Sequence, residues 1–153
     1  MGVHQSVMTD LNKQVEIVRN AGKIIKPNSV VLAVGVTGNW MLMHFPDYIG
    51  VDKPLIILDN YEANDGWFAV NWNNHKIPRI VADSNDSVPP NLDVKWIPSK
   101  ETKIFDYVFI YGNYKDFRKK DDWKLLNQDL DKNFKPVYTS PGNDIHIFSS
   151  FME

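Results

Sequence analysis

Three short runs of apolar residues dominate the hydrophobic pattern, and each predicts a buried strand. They cover residues 29–35, 54–59 and 105–111. Continuous apolar runs of this length, in contrast to alternating ones, are typical of strands covered on both faces in a parallel sheet. Residues 77–82 and 94–97 form weaker strand candidates.

Apolar residues at helical spacing predict a first helix over residues 10–21. Leu11, Val15 and Val18 fall on one face, and Met8 extends this stripe backwards. Gly22 follows where a glycine in the left-handed conformation commonly ends a helix. A short helix is expected over residues 40–48, stopped near Pro46.

The last third of the chain predicts a further helix and a hairpin. Asp121 or Asp122 is expected to cap a helix that presents one apolar face, formed by Trp123, Leu126, Leu130 and Phe134. Residues 136–140 and 145–149 then flank the sequence Pro-Gly-Asn-Asp, which predicts a hairpin turn.

These elements predict a single α/β domain over residues 1–153. Buried strands separated by helices or long loops favour a three-layer, Rossmann-like sandwich with a mainly parallel sheet. The closing hairpin is expected to add antiparallel strands at the edge of that sheet.

Composition removes several classes of function. Lys and Arg number 17 against 19 Asp and Glu, so the chain lacks the basic excess that a nucleic-acid partner requires. No apolar stretch approaches the 18 or so residues of a membrane helix, and direct membrane insertion by this chain is not expected. The absence of cysteine removes disulfides and cysteine-based zinc sites.

The turn after the first predicted strand is one candidate site. Gly35, Thr37, Gly38 and Asn39 could bring backbone amides close to an anion or a nucleotide. The preceding residues 25–32 also resemble the cofactor strand of S-adenosylmethionine-dependent methyltransferases. That family usually has an acidic residue where Ala33 stands and a further glycine near position 39 or 40, and a purely structural turn is the competing interpretation.

A second candidate surface follows the next predicted strand. Ligands of open α/β sheets bind outside the carboxyl ends of strands, and the loop over residues 60–74 leaves from such an end. The carboxylates of Asp59 and Glu62 could act as acid and base or hold a metal, whereas the amides and aromatic rings of the loop suit a glycan or a protein partner. We expect one contiguous ligand or partner surface formed by Asp59, Asn60, Tyr61, Glu62, Trp67, Trp72 and Asn73. The competing interpretations are turn-forming polar residues and core tryptophans.

The sequence indicates no catalytic residue, no metal site and no cofactor. Its four histidines lie far apart along the chain without the spacing of metal ligands. Neither a Gly-x-Ser-x-Gly nucleophile motif nor a Gly-x-x-x-x-Gly-Lys phosphate loop occurs.

Over most of its length the chain resembles the C-terminal soluble domain of bacterial multi-spanning glycosyltransferase-like membrane proteins. These proteins, of the type common in Bacteroidetes, are relatives of the dolichyl-phosphate-mannose–protein mannosyltransferases. The resemblance lies in three groups of stretches: residues 24–32 with Trp40 and 44–48; residues 53–63 with 66–68 and 71–73; and residues 105–110 with Tyr138 and 145–148.

This resemblance implies an accessory or recognition domain on the extracytoplasmic, periplasmic face of a membrane protein. The catalytic acid of that superfamily lies in a loop between membrane helices, so the resemblance assigns no catalytic residue to this chain. It implies the membrane-embedded portion of the parent protein as partner, together with a glycan or acceptor. The alternatives are a small nucleotide- or S-adenosylmethionine-dependent enzyme, cytoplasmic if free-standing, and a purely structural domain.

Overall fold

The computed structural model describes residues 2–39, 42, 44–58 and 105–151. Among these residues, the α-helices with described bounds are α1 (Gly2–Gly22), α2 (Tyr114–Lys119) and α3 (Lys124–Asn133), and Leu42 is helical as well. Two 3₁₀ helices cover Phe45–Gly50 and Asp121–Trp123. The strands are β1 (Ser29–Val36), β2 (Leu55–Ile57), β3 (Tyr107–Gly112), β4 (Phe134–Thr139) and β5 (Ile145–Ser150).

The described strands form one mixed, open sheet in the order β2-β1-β3-β5-β4. β1 pairs in parallel with β2 and with β3, whereas β5 is antiparallel to both β3 and β4. The α/β class, the mostly parallel strand direction and the C-terminal antiparallel hairpin are thereby confirmed.

The hairpin is not simply added at the edge, because β5 lies between β3 and β4. The burial of the two strands explains this order. Ile145, Ile147 and Phe148 of β5 are buried, whereas β4 is largely exposed and contains Pro136. Proline lacks an N–H for the ladder and is therefore suited to an edge strand.

Both faces of the sheet are covered. On one face, α1 and the first 3₁₀ helix pack against Tyr107, Phe109 and Tyr111 of β3. On the other face, α2 and α3 pack against Val108 and Ile110 of the same strand. The apolar run of β3 thus serves two cores, which is why it shows no alternation of polar and apolar residues.

The first helix is longer than predicted. α1 begins at Gly2 instead of Asp10, because no proline or glycine interrupts the chain before Gly22. Gly22 does not adopt the predicted left-handed conformation. A Cβ at this position would lie 3.1 Å from Ile49, so the glycine allows close packing of the first 3₁₀ helix.

Other predicted boundaries also move. Pro46 lies in the first turn of the 3₁₀ helix Phe45–Gly50, where its missing N–H costs nothing. Of the short helix predicted over residues 40–48, Leu42 is helical, and residues 40, 41 and 43 lie outside the described residues. Lys120 is the N-cap of the second 3₁₀ helix and Trp123 is the N-cap of α3, so neither Asp121 nor Asp122 has the predicted capping position. The sequence pattern also missed α2, whose six residues are too few to show periodicity.

β2 is half-exposed in the described sheet, although its apolar run predicts burial on both faces. Ile56 is 40% exposed, since β2 pairs only with β1 among the described strands. The strand candidates at 77–82 and 94–97 lie outside the described residues. In the part of the chain that is described, no helix is sufficiently long and apolar to span a membrane.

The hairpin is tied to α2 through a buried histidine. The His146 ring is 6% exposed and stacks on Tyr114 with ring centroids 3.8 Å apart. Its nitrogens lie 3.3 Å from the Thr139 hydroxyl and from the Asn143 carbonyl. Burial lowers the pKa of His146 below 6.5, while the Asn143 carbonyl and the charge of Asp144 raise it by less.

We expect this histidine to make the fold sensitive to mild acid. The unfolded chain takes up the proton near pH 6.5, and the folded chain takes it up only at lower pH. The stability contributed by neutral His146 is therefore fully present above pH 6.5 and is lost as the pH falls towards the folded pKa. Urea unfolding between about pH 7.5 and 5.5 should show a loss of at most about 1.4 kcal/mol per pH unit. His146→Gln should flatten this dependence, and an unchanged slope in that variant would contradict the assignment.

Candidate ligand-binding cleft

A cleft of about 940 Å³ opens at the carboxyl ends of β1 and β3. This volume is within the range typical of small-molecule sites. Five segments line it: α1 up to Gln14, the segment after β1, the end of β3 with the start of α2, Lys120 and Trp123 after α2, and the hairpin turn before β5. The polar lining residues are Asp10, Gln14, Thr37, Asn39, Tyr111, Asn113, Asp116, Lys120 and Asp144.

The topology explains why a cleft forms at this edge. After β1 the chain leads to the 3₁₀ helix Phe45–Gly50, which packs on the same face as α1. After β3 it leads to α2, which packs on the opposite face. Two adjacent parallel strands whose connections diverge to opposite faces leave a crevice between them, and this is where open α/β sheets bind ligands.

Gly112 fixes the floor of the cleft. Its N–H donates to the Asp144 carbonyl at 2.7 Å, and the next N–H, of Asn113, donates to the Val36 carbonyl at 2.9 Å. The φ angle of Gly112 is +110°, and a Cβ would lie 2.2 Å from the Val36 oxygen. Only glycine allows the ends of β1, β3 and β5 to meet so closely.

The predicted strand-to-helix turn is divided between strand and cleft. Gly35 is a β1 residue paired with Tyr111, whereas Thr37, Gly38 and Asn39 line the cleft. The Thr37 hydroxyl accepts the Asn39 N–H at 3.1 Å, which closes the turn internally. The Asn39 N–H is therefore already hydrogen-bonded within the turn and is not directed at an anion in the cleft.

Tyr111, Gln14 and Asp144 bring three polar side chains into the cleft from different elements. Tyr111 is only 4% exposed, and its hydroxyl donates to Gln14 Oε1 at 3.4 Å. This distance is long for an O–H···O bond, whose usual value is about 2.7–2.8 Å. Burial raises the pKa of Tyr111, and the negative charge of Asp144 raises it further.

Asp144 is held rigidly by the hairpin turn. The buried Ser140 hydroxyl donates to Asp144 Oδ1 and also accepts the backbone N–H groups of Asp144 and Ile145. Asn143 takes a φ of +60° to close the turn. One carboxylate oxygen of Asp144 is thus engaged by Ser140, and its other oxygen, Oδ2, accepts no hydrogen bond from the described residues.

The start of α2 contributes a second ordered carboxylate. Asn113 caps this helix by accepting the Asp116 N–H at 3.2 Å, and its side-chain amide donates to Asp116 Oδ2 at 2.8 Å. The described lining therefore combines three carboxylates, Asp10, Asp116 and Asp144, with one ammonium group, Lys120. Because its charge is predominantly negative, the cleft disfavours a polyanionic ligand.

The second predicted surface cannot be compared with this cleft. Asp59, Asn60, Tyr61, Glu62, Trp67, Trp72 and Asn73 all lie outside the described residues. The cleft residues contributed by β3, the hairpin and α1 are not predicted from the sequence. A signal for two of them is present, since Tyr111 is the last residue of the strand predicted over 105–111 and Asp144 directly precedes the strand that pairs with it.

A smaller cavity of about 290 Å³ lies near the C-terminal end of α1 and has a basic lining. Its cations already have internal partners. Arg19 forms a two-pronged pair with Asp52, and Lys23 donates to Asn20. Lys53 donates to the carbonyls of Gly22 and Ile25, and burial lowers its pKa. These contacts serve to tie the end of α1 to the chain before β2.

Potential metal ligands do not cluster in the described part of the chain, where no group of three or more His, Asp or Glu side chains could hold an ion. Comparisons with known proteins identify no relative of this chain. The chain matches no protein-family profile, no curated protein and no solved structure.

Proposed function

We propose that this chain is a recognition domain that binds a small polar ligand, or the end of a glycan, in the cleft between β1 and β3. The observation that carries the proposal is the position of the cleft at the point where the two strand connections diverge. Crevices at such points are the usual ligand sites of open α/β sheets. The walls come from five chain segments, so occupancy of the cleft would depend on the native fold.

The charge of the cleft favours neutral or cationic ligands. Asp10, Asp116 and Asp144 outnumber Lys120 in the lining. Asp10 also pairs with Lys13 at 3.6 Å, so the repulsion of a ligand phosphate would come mainly from Asp116 and Asp144. Carboxylates and amides are good acceptors and donors for hydroxyl groups. A glycan or a similar polyol therefore matches the described lining better than a nucleotide polyphosphate does.

The biological setting of this domain is proposed from the sequence resemblance. It is an accessory domain of a membrane-embedded glycosyltransferase-like protein, is not catalytic on its own, and lies on the periplasmic face against the membrane-embedded portion. An antibody against this chain should then detect a longer polypeptide in the membrane fraction of the source cell. Detection of a free 17.7 kDa protein in the soluble fraction would contradict this setting.

The finer description of the fold is part of the same proposal. A Rossmann-like, three-layer sandwich is supported by helices packed on both faces of the described sheet. It is also supported by the order β2-β1-β3, in which the chain leaves β1 to one side and later returns to pair with β1 on its other side.

A small nucleotide- or S-adenosylmethionine-dependent enzyme is the second candidate. The observation in its favour is that Thr37, Gly38 and Asn39 line the cleft directly after β1, where nucleotide-binding turns lie. Against it, the Asn39 amide is bonded to Thr37, and Ala33, where an acidic residue is usual, is buried within β1. A cofactor at 100 times its Kd would stabilise the fold by about 2.7 kcal/mol, so saturable stabilisation by S-adenosylmethionine would favour this candidate.

Gly38→Trp tests whether the cleft is the binding site. Gly38 lines the cleft, and a Cβ at this position meets no atom within 4 Å, so a side chain can begin there without a clash with its neighbours. We expect at least one probe among methyl α-D-mannopyranoside, adenosine and spermidine to shift the backbone amide signals of Thr37, Asn39 and Asn113, with a Kd of about 1 mM or tighter. Gly38→Trp should abolish these shifts while changing the free energy of unfolding by no more than about 0.5 kcal/mol.

Lys26→Trp provides the matched control, because Lys26 is exposed and lies outside the cleft lining. This variant should bind each probe as the parent chain does. The proposal fails if none of the three probes shifts the cleft amides, or if Gly38→Trp leaves the shifts unchanged.

A further inference from the structure

The Tyr111 hydroxyl has hydrogen-bonding capacity that the described structure leaves largely unused. The side chain is 4% exposed and lines the cleft, yet its hydroxyl has only the long 3.4 Å contact to Gln14 Oε1. A contact of this length is weak beside the usual O–H···O distance of about 2.7–2.8 Å, so the O–H can donate to a closer acceptor in the cleft. A ligand atom that accepts this O–H would satisfy it.

The groups around the Tyr111 hydroxyl restrict which kind of ligand atom can bind there. Asp144 is positioned by Ser140, and its Oδ2 can accept a hydrogen bond from a ligand. Gln14 contributes a carbonyl oxygen that accepts and an amide that donates. Tyr111 pairs with Ile145, and the Gly112 N–H donates to the Asp144 carbonyl at 2.7 Å, so Tyr111 and Asp144 line the cleft from adjoining strand ends.

A ligand hydroxyl fits this arrangement better than the other common polar groups. It can accept from Tyr111 and at the same time donate to Asp144, whereas an ammonium group can only donate. A phosphate can accept from Tyr111, but it would lie beside the Asp144 carboxylate and be repelled. A second hydroxyl on the neighbouring carbon would find both an acceptor and a donor in Gln14.

We propose that Tyr111, Gln14 and Asp144 form a subsite for a vicinal diol of a sugar ring. This inference rests on the proposed function, because it names the ligand class of the same cleft. The shared chemistry is a pair of adjacent ring hydroxyls, and it has two sources: a pyranose at the end of a glycan, or the ribose of a nucleoside.

Tyr111→Phe tests the subsite, since it removes the hydroxyl and keeps the ring. The probes are methyl α-D-mannopyranoside and adenosine, each paired with its 2-deoxy or 2′-deoxy counterpart. For whichever parent probe binds, we expect loss of the ligand hydroxyl to weaken binding about tenfold, and Tyr111→Phe to weaken the parent probe to the same extent. The deoxy probe should bind Tyr111→Phe and the unmodified chain equally well.

Tyr107→Phe is the matched control. Tyr107 lies on the same strand and faces the same core as Tyr111, but it is outside the cleft lining. This variant should leave the affinity of all four probes unchanged. Binding of only the pyranoside pair would identify the glycan as the source, and binding of only the riboside pair would identify a nucleoside.

Three results would overturn the subsite. The deoxy probes could bind as tightly as their parents, Tyr111→Phe could weaken parent and deoxy probes equally, or both pairs could fail while spermidine shifts the cleft amides. In the last case the cleft would still be a binding site, so the proposed function would stand without the diol subsite. If spermidine and both pairs all fail to shift the cleft amides, the proposed function fails as well.

Discussion

Gly112→Ala is expected to cost about 3 kcal/mol or more of folding free energy. The φ angle of +110° is one that side chains with a Cβ rarely adopt, and such strain costs about 1–3 kcal/mol. The added methyl group would also lie 2.2 Å from the Val36 oxygen, a backbone atom that cannot rotate away. β1 and β3 would have to separate at their carboxyl ends, which breaks the Asn113–Val36 hydrogen bond.

Gly38→Ala is the matched control, because it makes the same chemical change a few residues beyond the paired Val36. Space around Gly38 is open, and its backbone is outside the left-handed region. We expect a change within about 0.5 kcal/mol in urea unfolding, or a slight stabilisation from the reduced entropy of the unfolded chain. Equal effects of the two substitutions would show that the carboxyl ends of β1 and β3 do not meet as described.

The central sheet could be predicted from sequence because its strands are marked by burial on both faces. Uninterrupted apolar runs predicted β1 and β3, and the turn sequence before Ile145 predicted the hairpin. The order of the hairpin strands was less accessible, although Pro136 carried the information. The short α2 could not be predicted, since its register depends on the Asn113 cap and on Phe117 packing into the core.

The cleft was predictable only at one of its walls. The rule that ligands bind beyond strand ends led to the turn after β1 and to the loop that follows β2. Gln14 and Tyr111 are separated by 97 positions in the chain, so no local sequence pattern connects them. In the sequence Asp144 is an ordinary turn residue. Only the strand register, in which Ile145 lies opposite Tyr111, brings it to the cleft.

Phe117→Ala is expected to remove about 3–5 kcal/mol of stability, as for other fully buried phenylalanines. The Phe117 ring is 0% exposed and packs against Trp123 and Tyr114, with centroid distances of 5.5 and 5.9 Å. Its carbonyl also accepts the side-chain amide of the buried Asn127 at 3.0 Å. α2 has only six residues, so these contacts rather than helix propensity must hold it in place.

Phe117→Ala should also make the cleft wall formed by α2 open more readily than the rest of the fold, because α2 positions Asn113 and Asp116 in the lining. Native-state hydrogen exchange should show the amides of Phe117 and Lys120, which close the turns of α2, losing protection before those of β3. Phe151→Ala is the control, since Phe151 is 56% exposed and its removal should change stability by no more than about 0.5 kcal/mol. If Phe117→Ala lowers the protection of α2 and β3 equally, α2 unfolds only with the sheet, and the start of α2 cannot move independently of the cleft floor.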